Sequence, residues 1–177
     1  MFLPLYMAAI TSLSPATEHW FEGATCASIK RLADHQPSGA RYPQPPPAAY
    51  RIAQQPFPPG MQPSGEAIID YWYDPAHNLL FRFSGAGYGG DNILMRSSRP
   101  PGKFHIADLS TVTMLGGLRV GSSASDVVRR LGKPFVTQAC GSTLYVYDTG
   151  GQNAPGEMMR ILISNGRVSI IWWQWTD

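Results

Sequence analysis

The sequence predicts an α+β protein in which an antiparallel β-sheet is packed by short helices. Short runs rich in aromatic and β-branched residues recur between turn signals, as strands do. One segment near Ala124 carries complete helix start and stop signals. Asn165-Gly166 is the dipeptide typical of a tight antiparallel hairpin, because its type I′ turn needs positive φ at both positions.

The N-terminal part divides by composition into three segments. Residues 1–13 are apolar and too short to span a bilayer, which needs about 20 residues. They fit either the remnant of a signal peptide or an N-terminal segment that packs down. Residues 14–35 are predicted to be helical, since Ser14 can cap, Pro15 suits the first turn, and an apolar stripe follows at helical spacing.

Residues 36–65 hold most of the prolines and are predicted to form an extended connector. Such a segment can be a docking ligand for an aromatic groove. The alternative, which the frequency of proline-rich linkers favours, is a linker or a strap wrapped over the surface.

Residues 66–177 are predicted to form the antiparallel α+β domain. Its first strands are expected at Ile68–Tyr73, Leu79–Ser84 and Asn92–Ser97, and a further one near Thr111–Leu115. Gly85–Gly90 matches GxGxxG, but it leads into a strand pattern instead of opening a helix. A dinucleotide site needs that helix, so the motif is interpreted as a hairpin loop.

The C-terminal unit is predicted to be one helix followed by a meander. The helix spans Ala124–Leu131, with serine before it and Gly132 and Pro134 after it. The expected strands are Thr143–Asp148, Glu157–Ser164 and Arg167–Trp175.

The turn at Asn165-Gly166 predicts a strand register that pairs Ser164 with Arg167. Continued regularly, it pairs Ile163 with Val168, Ile161 with Ile170 and Met159 with Trp172, on one apolar face for the helix. The opposite face then carries Arg160, Trp173 and Trp175. Either the rest of the chain or a partner is expected to cover it, because large apolar patches are rare on monomers.

This unit resembles a known family. The run from Gly117 to Pro134, GLRVGxSxxxVxxxLGxP, resembles the helix signature of the SmpA/OmlA outer-membrane-assembly lipoproteins and of β-lactamase-inhibitor-like domains. The hairpin at 161–168 and Tyr145-Val146-Tyr147 also fit, so the resemblance covers residues 117–177. It implies a β-lactamase-inhibitor-like fold and an exported, non-enzymatic protein that binds other proteins. A helix followed by strands in each half is compatible with two related halves.

Composition bounds the partners and the compartment. Charged residues make up 15% of the chain and the net charge is +2, without a basic patch, so no nucleic-acid partner is expected. Cys26 and Cys140 form either one disulfide or two buried thiols. A disulfide would require an oxidising compartment, which agrees with a periplasmic or secreted protein that is membrane-peripheral at most.

No catalytic or metal-binding constellation is recognisable. His19, His35, His77 and His105 lack zinc-ligand spacing, and the chain has no GxSxG, SxxK or phosphate-binding loop. No cofactor or metal is therefore predicted. A pairing of Cys140 with His77 or His105 stays open, because such partners meet only in the fold.

The leading hypothesis is an exported, non-enzymatic protein-binding module that contributes to cell-envelope or secretion-system assembly. The alternatives are an inhibitor or immunity protein that blocks an enzyme or toxin, and a hydrolase with an unrecognised site. The predicted contact residues are Arg160, Trp173 and Trp175, since Trp and Arg are enriched at hot spots. Tyr88 in the glycine loop is a fourth.

Overall fold

Eight strands hydrogen-bond into one sheet in the computed structural model, which describes residues 41–61, 68–86, 89–98, 102–139, 141–151 and 156–176. The strands are β1 (Ile68–Asp74), β2 (Leu79–Ala86), β3 (Gly89–Arg96), β4 (His105–Ile106), β5 (Phe135–Ala139), β6 (Ser142–Asp148), β7 (Met158–Ser164) and β8 (Arg167–Thr176). The helices of the described part are α1 (Pro47–Tyr50) and α2 (Ala124–Leu131), with a 3₁₀ turn at Leu115–Gly117.

The sheet joins two meanders side by side. The strand order is β4-β1-β2-β3-β8-β7-β6-β5, and each neighbouring pair is antiparallel except the parallel pair β1–β4. Strand β3 pairs with β8, so the last strand of the chain lies in the middle of the sheet. The predicted α+β class with an antiparallel sheet is confirmed. Of the described helices, neither is long and apolar enough to cross a membrane.

Most of the predicted elements are present near their predicted bounds. The strand expected near Thr111–Leu115 is wrong, because this segment instead forms an isolated bridge between Gln55 and Thr113, followed by the 3₁₀ turn. Strand β5 was not predicted. It follows Pro134 at the end of the sheet and lacks apolar alternation, so nothing local distinguishes it from a loop.

Helix α2 begins and ends where its capping residues predict. The Ser123 hydroxyl accepts a hydrogen bond from the Asp126 backbone N–H at 3.0 Å, and Gly132 follows the last turn with φ +79°. The helix is amphipathic, and it buries Val127 and Leu131 against the sheet.

Replacing Ser123 with alanine is expected to lower the free energy of unfolding by about 1 kcal/mol, because the Asp126 N–H loses its capping acceptor. Urea denaturation measures the change. Ser98→Ala, at an exposed serine outside any helix, is the control and is expected to have no effect. Equal stability of the two variants would contradict the capping role.

The C-terminal hairpin has the predicted turn but a different register beyond it. Asn165 and Gly166 have φ of +51° and +72°, and the predicted pairs Ser164–Arg167 and Ile163–Val168 are present. Ser169 then lacks a partner on β7, which is a β-bulge. The predicted pairs of Ile161 and Met159 are therefore wrong. Ile161 pairs with Ile171 and Met159 pairs with Trp173, each one residue later than predicted.

Both faces of the sheet are buried. The helix face packs against α2, the 3₁₀ turn and residues 49–61; its sheet residues include Phe81, Phe83, Leu94, Tyr147, Met159, Ile161, Ile163, Val168 and Ile171. The second face is formed by Tyr71, Tyr73, Leu80, Ile93, Met95, Leu144, Val146, Met158, Leu162, Ile170 and Trp172. Tyr42, Ile69 and Phe104 are the partly buried hydrophobic residues packed against this second face within the described chain.

Residues 49–61 of the proline-rich segment form a strap on the helix face, whereas Tyr42 packs against the second face. Ala49 is 1% exposed within the core, and the backbone of Gln55 pairs with that of Thr113. The Asn92 amide donates to the carbonyl of Pro56 at 3.0 Å, which ties the strap to β3. Phe57 then packs on the rings of β2.

The glycine motif connects two antiparallel strands. Gly85 pairs with Gly90 and Ala86 pairs with Gly89, so the motif closes the β2–β3 hairpin, as predicted. A Cβ on Gly90 would lie 2.4 Å from the Ser84 carbonyl oxygen, so the close approach of the two strands requires glycine there.

Candidate functional site

The two tryptophans predicted as contact residues lie on the helix face. The Trp175 ring stacks on Phe83, with centroids 5.8 Å apart and an interplanar angle of 27°. The Trp173 Nε1–H donates to a Glu157 carboxylate oxygen at 2.9 Å. Both indoles are partly buried against this chain's own core. Their role in binding a partner stays a prediction.

Arg160 lies on the second face, so the predicted shared face with the two tryptophans is wrong. The cause is the bulge at Ser169, which reverses the side-chain alternation of β8. Arg160 is 2% exposed. Its Nη1 donates to Gln174 Oε1 at 3.1 Å, and its Cζ lies 5.3 Å from the Trp172 ring centroid.

A buried charge pair stabilises the second face beside Arg160. Arg82 Nη1 donates to Asp91 Oδ1 at 2.6 Å, and the Trp172 indole N–H donates to Asp91 Oδ2 at 3.1 Å. Burial raises the pKa of the Asp91 carboxyl, while the Arg82 guanidinium opposes that rise. This pair was not predicted, although the register of the β2–β3 hairpin places Arg82 and Asp91 diagonally across neighbouring strands.

Strand β5 forms one edge of the described sheet and carries two exposed apolar side chains. It pairs with β6 on one side, and within the described ranges no strand pairs with its other side. Phe135 is 39% exposed and Val136 is 51% exposed. The five residues of the strand carry no charge.

A small apolar hollow of about 90 Å³ lies beside this edge on the second face. Its walls are formed by Tyr42, Phe135, Thr137, Leu144, Val146, Met158 and Arg160. The Tyr42 ring meets the Phe135 ring edge-on, with centroids 5.2 Å apart. Arg160 thus lies on the face opposite to Trp173 and Trp175, and it lines this hollow.

A second cavity, of about 340 Å³, opens where β2 begins and β3 ends. Its lining combines leucine and valine side chains with polar and basic ones: His77, Leu79, Leu94, Arg96, Leu109, Ser110, Val112, Arg119 and Val120. We call it the arginine cleft.

Three potential metal ligands cluster next to the arginine cleft. Ligand atoms of Asp74, His77 and Asp108 all lie within 4.8 Å of one another. The Asp74 carboxylate already accepts four hydrogen bonds: from the N–H groups of Ala76, His77 and Leu109 and from His77 Nδ1. Its oxygens are thus engaged in holding the β1–β2 turn, so we interpret the cluster as structural.

Several predicted features lie outside the described residues. They are Tyr88, both cysteines, the segment 1–13 and the helix at 14–35. A pairing of Cys140 with a histidine therefore stays untested. Of the two histidines considered, His77 contacts Asp74 at 2.8 Å and His105 contacts Asp70 at 3.0 Å.

Comparisons of the chain with known protein families, with curated proteins and with solved structures found no match.

Proposed function

We propose that this chain is an exported, non-enzymatic protein-binding module that takes up an extended segment of its partner along strand β5. The observation that carries the proposal is the outer edge of β5, which has two exposed apolar side chains and no charge. On this outer side, no strand among the described residues pairs with the backbone N–H and C=O groups of β5.

Exposed sheet edges are a liability that most proteins protect. Lysines, prolines, bulges or covering loops normally blunt such an edge, because an open one pairs with other chains. Strand β5 has Lys133 and Pro134 before it but none of these devices within its five residues. An edge without protection is what strand addition by a partner needs.

The hollow beside the edge gives the partner a stated chemistry. In strand addition the main chain contributes affinity, and pockets for alternate side chains contribute specificity. The hollow is walled by Tyr42, Phe135 and Leu144, and it is large enough for one aliphatic side chain. The partner segment is therefore extended, with an aliphatic residue placed opposite the exposed flank of Phe135.

The proposal also includes export to the bacterial envelope and a β-lactamase-inhibitor-like fold with two related halves. The resemblance of residues 117–177 to SmpA/OmlA and β-lactamase-inhibitor-like domains supports export to the bacterial envelope, with a role in envelope or secretion-system assembly. Two meanders that meet at β3 and β8 support an arrangement of two related halves. A sheet with helices and loops on one face is consistent with a β-lactamase-inhibitor-like fold.

The test is capture of proteins from an envelope extract on immobilised chain, with Val136→Lys as the test variant. A lysine on β5 protects the edge, so we expect the captured amount of a specific partner to fall at least tenfold. Val128→Lys is the matched control, since Val128 is 39% exposed on α2, away from the edge. It is expected to capture the partner as the wild type does.

Circular dichroism and urea denaturation establish that both variants fold as the wild type does. Equal capture by Val136→Lys and wild type, or no specific capture by the wild type, would overturn the proposal.

A further inference from the structure

The arginine cleft combines an apolar floor with a basic rim. Its floor residues are almost fully buried: Leu79, Leu94, Leu109 and Val112 are 8%, 1%, 1% and 0% exposed. Arg96 and Arg119 are exposed at the rim. Its volume of about 340 Å³ lies at the lower end of the range for small-molecule sites.

The two arginines approach the cleft from different elements. Arg96 ends β3, and Arg119 lies in the loop before α2. A Cβ built on Gly121 would be 3.7 Å from Arg96 Nη2, so the Arg96 guanidinium reaches the same loop that carries Arg119. Topology thus places two basic groups at one opening, which their separation in sequence does not indicate.

Neither guanidinium has an acceptor in the described part of the chain. Other arginines do: Arg82 pairs with Asp91, and Arg129 pairs with Asp126. The nearby carboxylates are already engaged. Those of Asp74 and Asp108 accept hydrogen bonds from the turn and from Ser110.

We propose that the arginine cleft binds a small amphipathic carboxylate, with its apolar body on the leucine floor and its carboxylate at Arg96 and Arg119. Arginine suits this ligand because its planar guanidinium can donate two parallel hydrogen bonds to a carboxylate. The floor binds the apolar part by removing it from water. An inorganic anion would contact only the two arginines, and a neutral hydrocarbon would contact only the apolar floor. A ligand with both an apolar body and a carboxylate uses the whole site.

This site is independent of the proposed partner interface. In the sheet, β8, β7 and β6 separate β3 from β5. Val136→Lys is therefore expected to leave carboxylate binding unchanged, so the failure of one proposal is distinguishable from the failure of the other.

The experiment is isothermal titration calorimetry of the full chain with octanoate, octanol and acetate. Octanoate is expected to bind with one-to-one stoichiometry, at least tenfold more tightly than octanol, and acetate is expected not to bind measurably. The double variant Arg96→Gln/Arg119→Gln is expected to weaken octanoate binding about tenfold or more. It should leave octanol binding within twofold of the wild type.

Arg51→Gln is the control, because Arg51 is exposed and lies outside the cleft lining. It is expected to bind octanoate as the wild type does. Absence of octanoate binding, equal affinity of the wild type for octanol, or equal loss in the control would each overturn the assignment.

Discussion

Inserting a single valine directly after Ser169 is expected to prevent the sheet from forming, whereas Ser169→Ala is expected to cost only about 1 kcal/mol. Ser169 is the extra residue of the β7–β8 bulge. Its hydroxyl donates to the Leu162 carbonyl at 3.1 Å and lies 3.1 Å from the Ser164 hydroxyl. The alanine variant loses these polar contacts but keeps the spacing of β8.

The insertion acts through side-chain alternation. Residues 170–176 would each move one position further from the turn and therefore face the opposite side of the sheet. Ile171, Trp173 and Trp175 would leave the helix face, while Ile170 and Trp172 would enter it. Pairing of β8 with β3 would shift as well, because the same residues form that ladder.

The expected loss exceeds about 5 kcal/mol, which is the whole stability of many domains. Urea denaturation followed by tryptophan fluorescence and near-ultraviolet circular dichroism measures it. Ser169→Ala supplies the matched control. If the insertion variant showed the wild-type near-ultraviolet spectrum and unfolding midpoint, the number of residues after Val168 would not determine which face β8 presents.

The bulge also shows where sequence reasoning stops. Asn165-Gly166 determines the pairing of the two residues nearest the turn, and that prediction is confirmed. Beyond Val168, the run Ile170-Ile171-Trp172-Trp173 is continuously apolar, because both faces of the sheet are buried. Without alternation, nothing in the sequence indicates that Ser169 is an extra residue. The regular register was therefore continued past Val168, where the bulge interrupts it.

The other features of the fold were predictable where local sequence signals determine them and unpredictable where the topology of the whole sheet does. Helix α2 and most strands were predicted, since caps and turn residues act within a few positions of the elements they bound. The pairing of β3 with β8 and the edge position of β5 depend on the whole sheet. Both candidate sites arise at that level: Tyr42 meets Phe135 at the hollow, and Arg96 and Arg119 line one cleft.

Replacing Asp74 with alanine is expected to lower the free energy of unfolding by about 3 kcal/mol, because buried donors lose their acceptor. Asp74 is 3% exposed and ends β1. Its carboxylate accepts from the N–H groups of Ala76 and His77 at 3.0 and 3.1 Å. It also accepts from Leu109 N–H at 2.9 Å and contacts His77 Nδ1 at 2.8 Å, so it joins the turn to a distant loop.

Asp108→Ala is the matched control for this change. Asp108 is an exposed aspartate in the same loop, and among the described residues its carboxylate accepts hydrogen bonds from Ser110 only. Its removal is expected to change stability by less than about 1 kcal/mol. Comparable losses in Asp74→Ala and Asp108→Ala, measured by urea denaturation at pH 7, would show that the four hydrogen bonds of Asp74 do not hold the turn.

The pH dependence of stability shows whether Asp74 stabilises the fold through its negative charge or through the shape of its side chain. Burial opposes ionisation, but hydrogen bonds from His77 and Leu109 outweigh it and hold the pKa of Asp74 below its usual value. A depressed folded-state pKa contributes stability that is fully present above the unfolded pKa of about 4 and is lost as the pH falls through the folded pKa.

Asp74→Asn has no proton to bind at this position, so its stability deficit relative to the wild type should be largest near pH 7. The deficit should shrink as the pH falls below about 4, where the wild-type carboxylate begins to gain its proton. If the stability deficit of Asp74→Asn were constant from pH 7 to pH 3, protonation of the wild-type carboxylate would cost no stability. The role of Asp74 would then be due to its shape and not to its charge.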